Sequence, residues 1–305
     1  ATHWPSRDPR MTLAYRPGRP PVAGDIELRG LRCHLKSWPG SDPAPIVLLH
    51  GWMDTGDTFQ FLVDALPATR SFVALDWRGF GRSGWPQDGY WFPDYFGDLD
   101  ALLERLSPGE PVTLVGHSMG GNVALMYAGI RPERVRRVVS IEGLGLPRTQ
   151  PGEAPGRYRT WLAQLRSPPA FAAADSPDDL VQRLLRRNVR LLPDRAAFIA
   201  QAWVEVRADG RVAMRGDPAH KRINPVLYRR EEAEACWREI TAPVLCVVGG
   251  DSELLRRLGD DAQPSALARV IRGVEVAVVP EAGHMVHHDQ PEPLAVLVEA
   301  FLGRT

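Results

Sequence analysis

The sequence predicts an α/β protein: a mainly parallel sheet with helices on both faces and a helical insertion near the middle of the chain. Three observations carry this. Short, continuous apolar runs such as Pro45–His50 and Pro111–Val115 read as strands buried on both faces. Segments of helical spacing alternate with these runs, the pattern of a parallel sheet wrapped by helices. The alternation stops between Gly143 and Ile240 and then resumes.

In chain order, Ile26 to Trp38 reads as two short strands around Gly30. Pro45 to His50 is a buried strand ending at Gly51, and Thr58 to Leu66 has helical spacing. Ser71 to Asp76 is the next strand. Asp94 to Leu106 is an amphipathic helix stopped by Pro108-Gly109. Pro111 to Val115 is a strand, Asn122 to Ile130 a helix and Val135 to Ile141 a strand. Beyond the interruption come strands at Pro243 to Val248 and Val274 to Val279, and a closing helix at Pro293 to Leu302. The interrupting segment holds helical patterns at Trp161 to Leu165, Leu180 to Arg187 and Arg195 to Val206, with no strong buried strand. Residues 1–142 and 241–305 are therefore expected to form one α/β core, and 143–240 a helical cap over the strand ends.

The chain of 305 residues is 44% hydrophobic, enough for a full core. Its 37 Lys and Arg balance its 37 Asp and Glu, so nothing suggests a nucleic-acid partner or an anionic membrane surface. Lysine occurs only at Lys36 and Lys221. The three cysteines, Cys33, Cys236 and Cys246, show no CxxC pairing, which argues against a disulfide framework or a cysteine zinc site and fits a reducing compartment. No apolar run reaches membrane-spanning length, and Ala1 to Arg10 is polar with no signal-peptide core. The expectation is a soluble cytoplasmic protein acting on a small molecule, without nucleic-acid or membrane partners. Composition says nothing of its oligomeric state.

Gly116-His117-Ser118-Met119-Gly120 fits the G-x-S-x-G pattern, with a buried strand leading in and a helix leading out. Such a turn holds Ser118 Oγ clear of the backbone, and the helix N-terminus behind it favours developing negative charge. Two backbone N–H groups are needed for an oxyanion. Met119, next after the nucleophile, supplies one. The other is expected from Trp52 in His50-Gly51-Trp52, whose indole would line the pocket; the alternative is that Trp52 is only a packing residue. His284, in Pro280-Glu-Ala-Gly-His284, follows the last strand and is the expected base. His287 and His288 compete with it but read as loop or packing residues. For the acid, Glu142 ends one strand, while Asp251 and Glu253 follow another. Glu142 is favoured because it sits directly at its strand end.

These motifs, with Asp76-Trp-Arg78-Gly79-Phe-Gly81-Arg-Ser83 and Asp289-Gln-Pro291, resemble the α/β-hydrolase superfamily over nearly the whole chain. His50-Gly-Trp-Met-Asp-Thr and Leu184-Leu-Arg-Arg-Asn188 look like the serine-hydrolase-like group related to haloalkane dehalogenases. The resemblance implies an α/β-hydrolase fold with an inserted cap. It also implies an acid after the strand that follows the nucleophile helix, which maps onto Glu142. In many relatives the acid stands three residues after a glycine at the later strand end, and that place here is Ser252. Dehalogenases carry an Asp nucleophile where this chain has Ser118, so halide displacement is not expected. Asp76 and Arg78 are expected to brace the sheet edge.

The expected function is hydrolysis of a small or medium carboxylic ester, or a related acyl bond, through an acyl-enzyme on Ser118. Neither metal nor organic cofactor is expected. Trp52, Met53 and Met119 suggest apolar pocket walls. Carbon–carbon bond hydrolysis on the same residues, or a hydrolase-fold binding protein that turns over slowly or not at all, are the alternatives. His220, in the polar stretch Asp217 to Arg222, is expected on a surface loop.

Overall fold

The computed structural model describes residues 14–172, 174, 176–206 and 212–304. The reading of Ala1 to Arg10 lies outside these residues. An antiparallel hairpin opens the sheet: β1 (Val22–Leu28) and β2 (Leu31–Trp38). It turns through Arg29 and Gly30, both with positive φ (50° and 76°). Two such residues give the twist a two-residue hairpin needs, and glycine takes the second without steric cost.

The chain then alternates. Strand β3 (Ile46–Leu49) and helix α1 (Gln60–Ala65) come first. They are followed by β4 (Phe72–Leu75), α2 (Phe92–Leu106) and β5 (Val112–His117), and then by α3 (Met119–Ile130) and β6 (Val135–Ile141). The insertion holds α4 (Ala154–Arg166), α5 (Pro177–Arg187), α6 (Pro193–Trp203), the antiparallel pair β7 (Val204–Val206) and β8 (Val212–Met214), and α7 (Arg230–Arg238). The sheet is completed by β9 (Val244–Gly249), α8 (Leu254–Leu258), α9 (Pro264–Val270), β10 (Glu275–Val279), α10 (Val286–Asp289) and α11 (Pro291–Leu302).

The strand order is β1-β2-β4-β3-β5-β6-β9-β10, antiparallel as far as β2 against β4 and parallel beyond. One face packs Leu99, Leu102, Val123, Leu125 and Trp237 from α2, α3 and α7; the other packs Leu62, Val63, Leu294, Val298 and Phe301 from α1 and α11. Strands covered on both faces must be apolar throughout, which is why β3 and β4 are buried at every position.

The insertion departs from the helical pattern in one respect. The segment Arg195 to Val206 is not one helix: it stops at Trp203, and Val204 and Val206 enter a short strand. Branching at Cβ suits valine to that extended run. Helix α7 packs on α3, sharing a core with Val123 and Ala124 through Ala233 and Trp237. Helices α5 and α6 build a separate cluster with Phe61 (Leu180, Val181, Leu191, Ala196, Ile199, Val204), whereas α4 buries none of its residues.

Five of its contacts with the core show where the insertion sits. Trp203 Nε1 donates to Asp54 Oδ1 (2.9 Å) and Gly81 N to Arg215 O (2.9 Å). Asp217 N donates to Gly79 O (2.8 Å), Arg190 Nη2 to Asp251 Oδ2 (2.7 Å) and Asn188 Nδ2 to Asp289 Oδ1 (2.6 Å). The core partners all follow the carboxyl ends of β3, β4, β9 or β10.

Candidate active site

Ser118 stands between β5 and α3 with φ 50° and ψ −112°, a conformation that costs a non-glycine residue on the order of 1–3 kcal/mol. Its neighbours hold it there. Ser118 N donates to Ile141 O on the adjacent strand (2.8 Å), and its own carbonyl accepts from Asn122 N (3.0 Å). The glycines are required by close approach. A Cβ on Gly116 would strike the Gly120 carbonyl, and one on Gly120 would strike the Leu49 carbonyl at the end of β3. The Gly-x-Ser-x-Gly spacing thus reflects three backbones crossing at one point.

The structure brings Ser118, His284 and Glu142 into one hydrogen-bonded chain. His284 Nε2 lies 3.0 Å from Ser118 Oγ, and Nδ1 lies 2.9 Å from Glu142 Oε2. A carboxylate only accepts, so Nδ1 carries the proton and Nε2 is left to accept from the hydroxyl. Glu142 is buried, and its carboxylate takes two further hydrogen bonds: Gly249 N–H on Oε1 (2.7 Å) and Ser252 Oγ–H on Oε2 (2.5 Å). A buried carboxylate needs such partners. Glu142 also has positive φ (56°), so strained backbone marks two of the three positions.

Asp251 is turned away, with its carboxylate on Arg190 of the insertion and its side chain 48% exposed. Ser252, where a relative would carry its acid, instead donates to Glu142. The sequence marks Ser252 as the vacated position but gives no sign that its hydroxyl supports the other strand's acid. Among the described residues, Glu253 pairs only with exposed Arg256.

On the other side of Ser118, the loop after β3 passes close by: a Cβ on Gly51 would lie 3.3 Å from Ser118 Cβ. The residue after Gly51 is Trp52, and Met119 opens α3 directly after Ser118. The Trp52 side chain is 51% exposed and Met53 has φ 61°. His50 anchors this loop. Its Nδ1–H donates to Gly51 O (2.7 Å) and its Nε2 accepts from Trp77 N (2.9 Å); burial pushes its pKa down, so the ring is neutral.

His287 and His288 are fully buried and part of a packed histidine cluster. His287 stacks on Phe59 with centroids 5.2 Å apart and lies 4.4 Å from His117. His117 Nε2–H donates to the His284 carbonyl (2.8 Å), which ties the turn before the nucleophile to the loop carrying the base. Desolvation drives the pKa of His117 and His288 well below the ordinary histidine value.

Asp76 and Arg78 brace loops at the carboxyl end of β4, an inner strand rather than an outer edge. Asp76 accepts from Gly56 N (2.8 Å) and Arg82 N (3.0 Å), and Arg78 makes a two-pronged pair with buried Asp98 (2.6 and 2.5 Å). His220 corrects the expectation of a surface loop. It is sandwiched between Phe80 and Tyr90, with centroids 3.7 and 3.5 Å away, and its Nε2–H donates to Arg78 O. Burial lowers its pKa to about 3.

Two cavities lie in this part of the molecule. One, of about 660 Å³, is walled by Trp91, Phe92, Phe96, Met126 and Tyr228, and begins at Asn122, one turn along α3 from Ser118. The other, of about 510 Å³, includes His284 itself with Arg190, Asp251 and Ser252. Arg257 borders both. No described helix is long and apolar enough to cross a membrane.

A family described as the alpha/beta hydrolase fold matches residues 44–291. "Serine hydrolase-like protein" of Danio rerio is 40% identical over 126 residues, 41% of this chain. The match spans only 37% of the fish protein's length. The mouse protein "sn-1-specific diacylglycerol lipase ABHD11" is 27% identical over 294 residues, 91% of this chain and 87% of its own. A solved thioesterase domain from the curacin biosynthetic pathway superposes with TM-score 0.77 at 24% identity over 91% of this chain and 98% of its own, a likeness of fold. With the family match running from just before β3 to the start of α11, the chain belongs to the α/β-hydrolase superfamily.

Proposed function

We propose that the chain is a serine hydrolase cleaving a small or medium carboxylic ester through an acyl-enzyme on Ser118. The observation that carries this reading is the unbroken chain Ser118 Oγ, His284 Nε2, His284 Nδ1, Glu142 Oε2, at 3.0 and 2.9 Å. In the first half-reaction, Ser118 Oγ attacks the ester carbonyl carbon while its proton passes to His284 Nε2. The resulting imidazolium faces Glu142, whose charge is already oriented by Gly249 N–H and Ser252 Oγ–H. The oxyanion is received by the N–H groups of Met119 and Trp52. His284 then protonates the departing alkoxide, and a water activated by the same nitrogen releases the acid.

Residues 143–240 act in this reading as a cap. What supports it is that their anchors, Asp54, Gly79, Gly81, Asp251 and Asp289, all lie at the strand ends that carry Ser118. The aromatic cavity suits an apolar acyl or alcohol part. A fluorophosphonate probe tests the reading directly. Stoichiometric labelling of Ser118, with turnover of p-nitrophenyl acyl esters that varies with chain length, is expected. An unlabelled Ser118 would point instead to a binding protein.

A further inference from the structure

Beneath the reacting residues lies a cluster that this mechanism does not use. Asp54, His117 and His287 are all buried, and one ligand atom from each lies within 4.8 Å of the others. The ring nitrogens His117 Nδ1, His287 Nδ1, His287 Nε2 and His288 Nε2 are buried with no hydrogen-bond partner among the described residues. Buried polar groups are normally paired, and a concentration of unpaired ones in one place calls for an occupant. We propose that Asp54, His117 and His287 form a binding site for a single transition-metal cation of the Zn²⁺ type.

Three features support a cation over direct side-chain pairing. The first is spacing. Asp54 Oδ2 stands 3.7 Å from His287 Nε2 and 3.9 Å from His288 Nε2, too far for hydrogen bonds. Ligand atoms around a tetrahedral ion with bonds of about 2.0–2.1 Å sit roughly 3.3 Å apart, so the Asp54–His287 pair closes by a few tenths of an ångström and the widest pair of the three, within 4.8 Å, by up to about 1.5 Å. The second is donor type: two imidazoles and a carboxylate suit a borderline ion such as Zn²⁺ and not Mg²⁺ or Ca²⁺. The third is the surroundings. His117 Nε2–H donates to the His284 carbonyl, which leaves Nδ1 as the lone-pair nitrogen. A histidine that ligates a metal commonly donates its other ring N–H to a backbone carbonyl in this way. Asp54 is likewise held in place, by Thr55 N (2.8 Å), Thr58 Oγ1 (2.8 Å) and Trp203 Nε1 (2.9 Å). The site uses none of the cysteines whose spacing argued against zinc. It would also join the turn before Ser118, the loop after β3 and the loop that carries His284.

The experiment is a Co²⁺ titration of the chelator-treated full chain, read by visible absorption and by metal content after desalting. One equivalent should bind, with tetrahedral-type bands that Zn²⁺ removes by displacement. Asp54→Asn and His287→Gln should each weaken binding by about 10- to 100-fold or more. His284→Gln should leave it intact, which separates this site from adventitious binding at the exposed base. X-ray absorption on the Zn²⁺-loaded wild type supplies a readout that needs no variant: it should show imidazole scattering from two ligands. The proposal is overturned by a wild type that takes up no metal, by unchanged uptake in Asp54→Asn and His287→Gln, by loss of uptake in His284→Gln, or by a shell without imidazole. Probe labelling of Ser118 reports separately on the hydrolase reading.

Discussion

The strand-end turns and helix α4 of the insertion are built on opposite principles. Ser118 and Glu142 hold positive φ, glycines let three backbones touch, and both carboxylate oxygens of Glu142 have named donors. Helix α4 buries none of its residues, and Tyr158, Leu162 and Leu165 are each more than 40% exposed. The difference teaches where precision is needed. Bond-making requires atoms placed to a few tenths of an ångström, so its residues sit where the sheet leaves no freedom. Helix α4 holds no group of the Ser118–His284–Glu142 chain and is under no such constraint.

The sharpest way to test the contrast is to delete one atom from the rigid side. Ser118→Ala should lower ester hydrolysis by roughly 10⁴- to 10⁶-fold and abolish probe labelling, with the melting temperature little changed. Retention of most of the activity would remove Ser118 from the mechanism. Next, Glu142→Gln should cost about 10⁴-fold in kcat, because an amide cannot hold the His284 tautomer as a carboxylate does. Asp251→Asn, on the Arg190 side, should change kcat by less than about 10-fold, since its exposed ion pair is weak. Similar losses in the two variants would contradict the division of labour drawn here.

Within the insertion, α6 should behave like core and α4 should not. Ile199 is fully buried, so Ile199→Ala should destabilise by about 2–5 kcal/mol in denaturant unfolding. A loss below about 1 kcal/mol would mean that the α5–α6 cluster is not packed as described.

The anchoring turn of the insertion should respond to acid. The folded-state pKa of His220 lies at about 3 against an ordinary 6.5, so the unfolded chain binds the proton first. Its stabilising contribution is complete above pH 6.5 and is lost as pH falls toward about 3. His220→Phe, which keeps a ring between Phe80 and Tyr90, should flatten the decline of melting temperature between about pH 6.5 and pH 4. Parallel wild-type and variant curves would exclude this role. The smallest effect is expected at Leu162→Ala on α4, within about 0.5 kcal/mol of wild-type stability.

Much of this molecule was written in short-range pattern. Continuous apolar runs announced β3, β5, β6 and β9, because a strand buried on both faces has no position for a polar side chain. The elbow at Ser118 was legible because its glycines are demanded within five consecutive residues. The remainder depended on contacts between distant segments. Ser252 Oγ meets Glu142 across 110 positions, and His284 Nδ1 meets it across 142. Sequence position could favour Glu142 over Asp251, but only the fold turned Asp251 toward Arg190. His220 looked like a polar loop residue because its shelter, Phe80 and Tyr90, lies more than a hundred residues earlier in the chain. The cluster of Asp54, His117 and His287 is invisible in sequence for the same reason: three loops from the ends of β3, β5 and β10 supply one residue each. Periodicity records which face of an element is buried, and the sheet's crossovers alone decide which buried groups face one another.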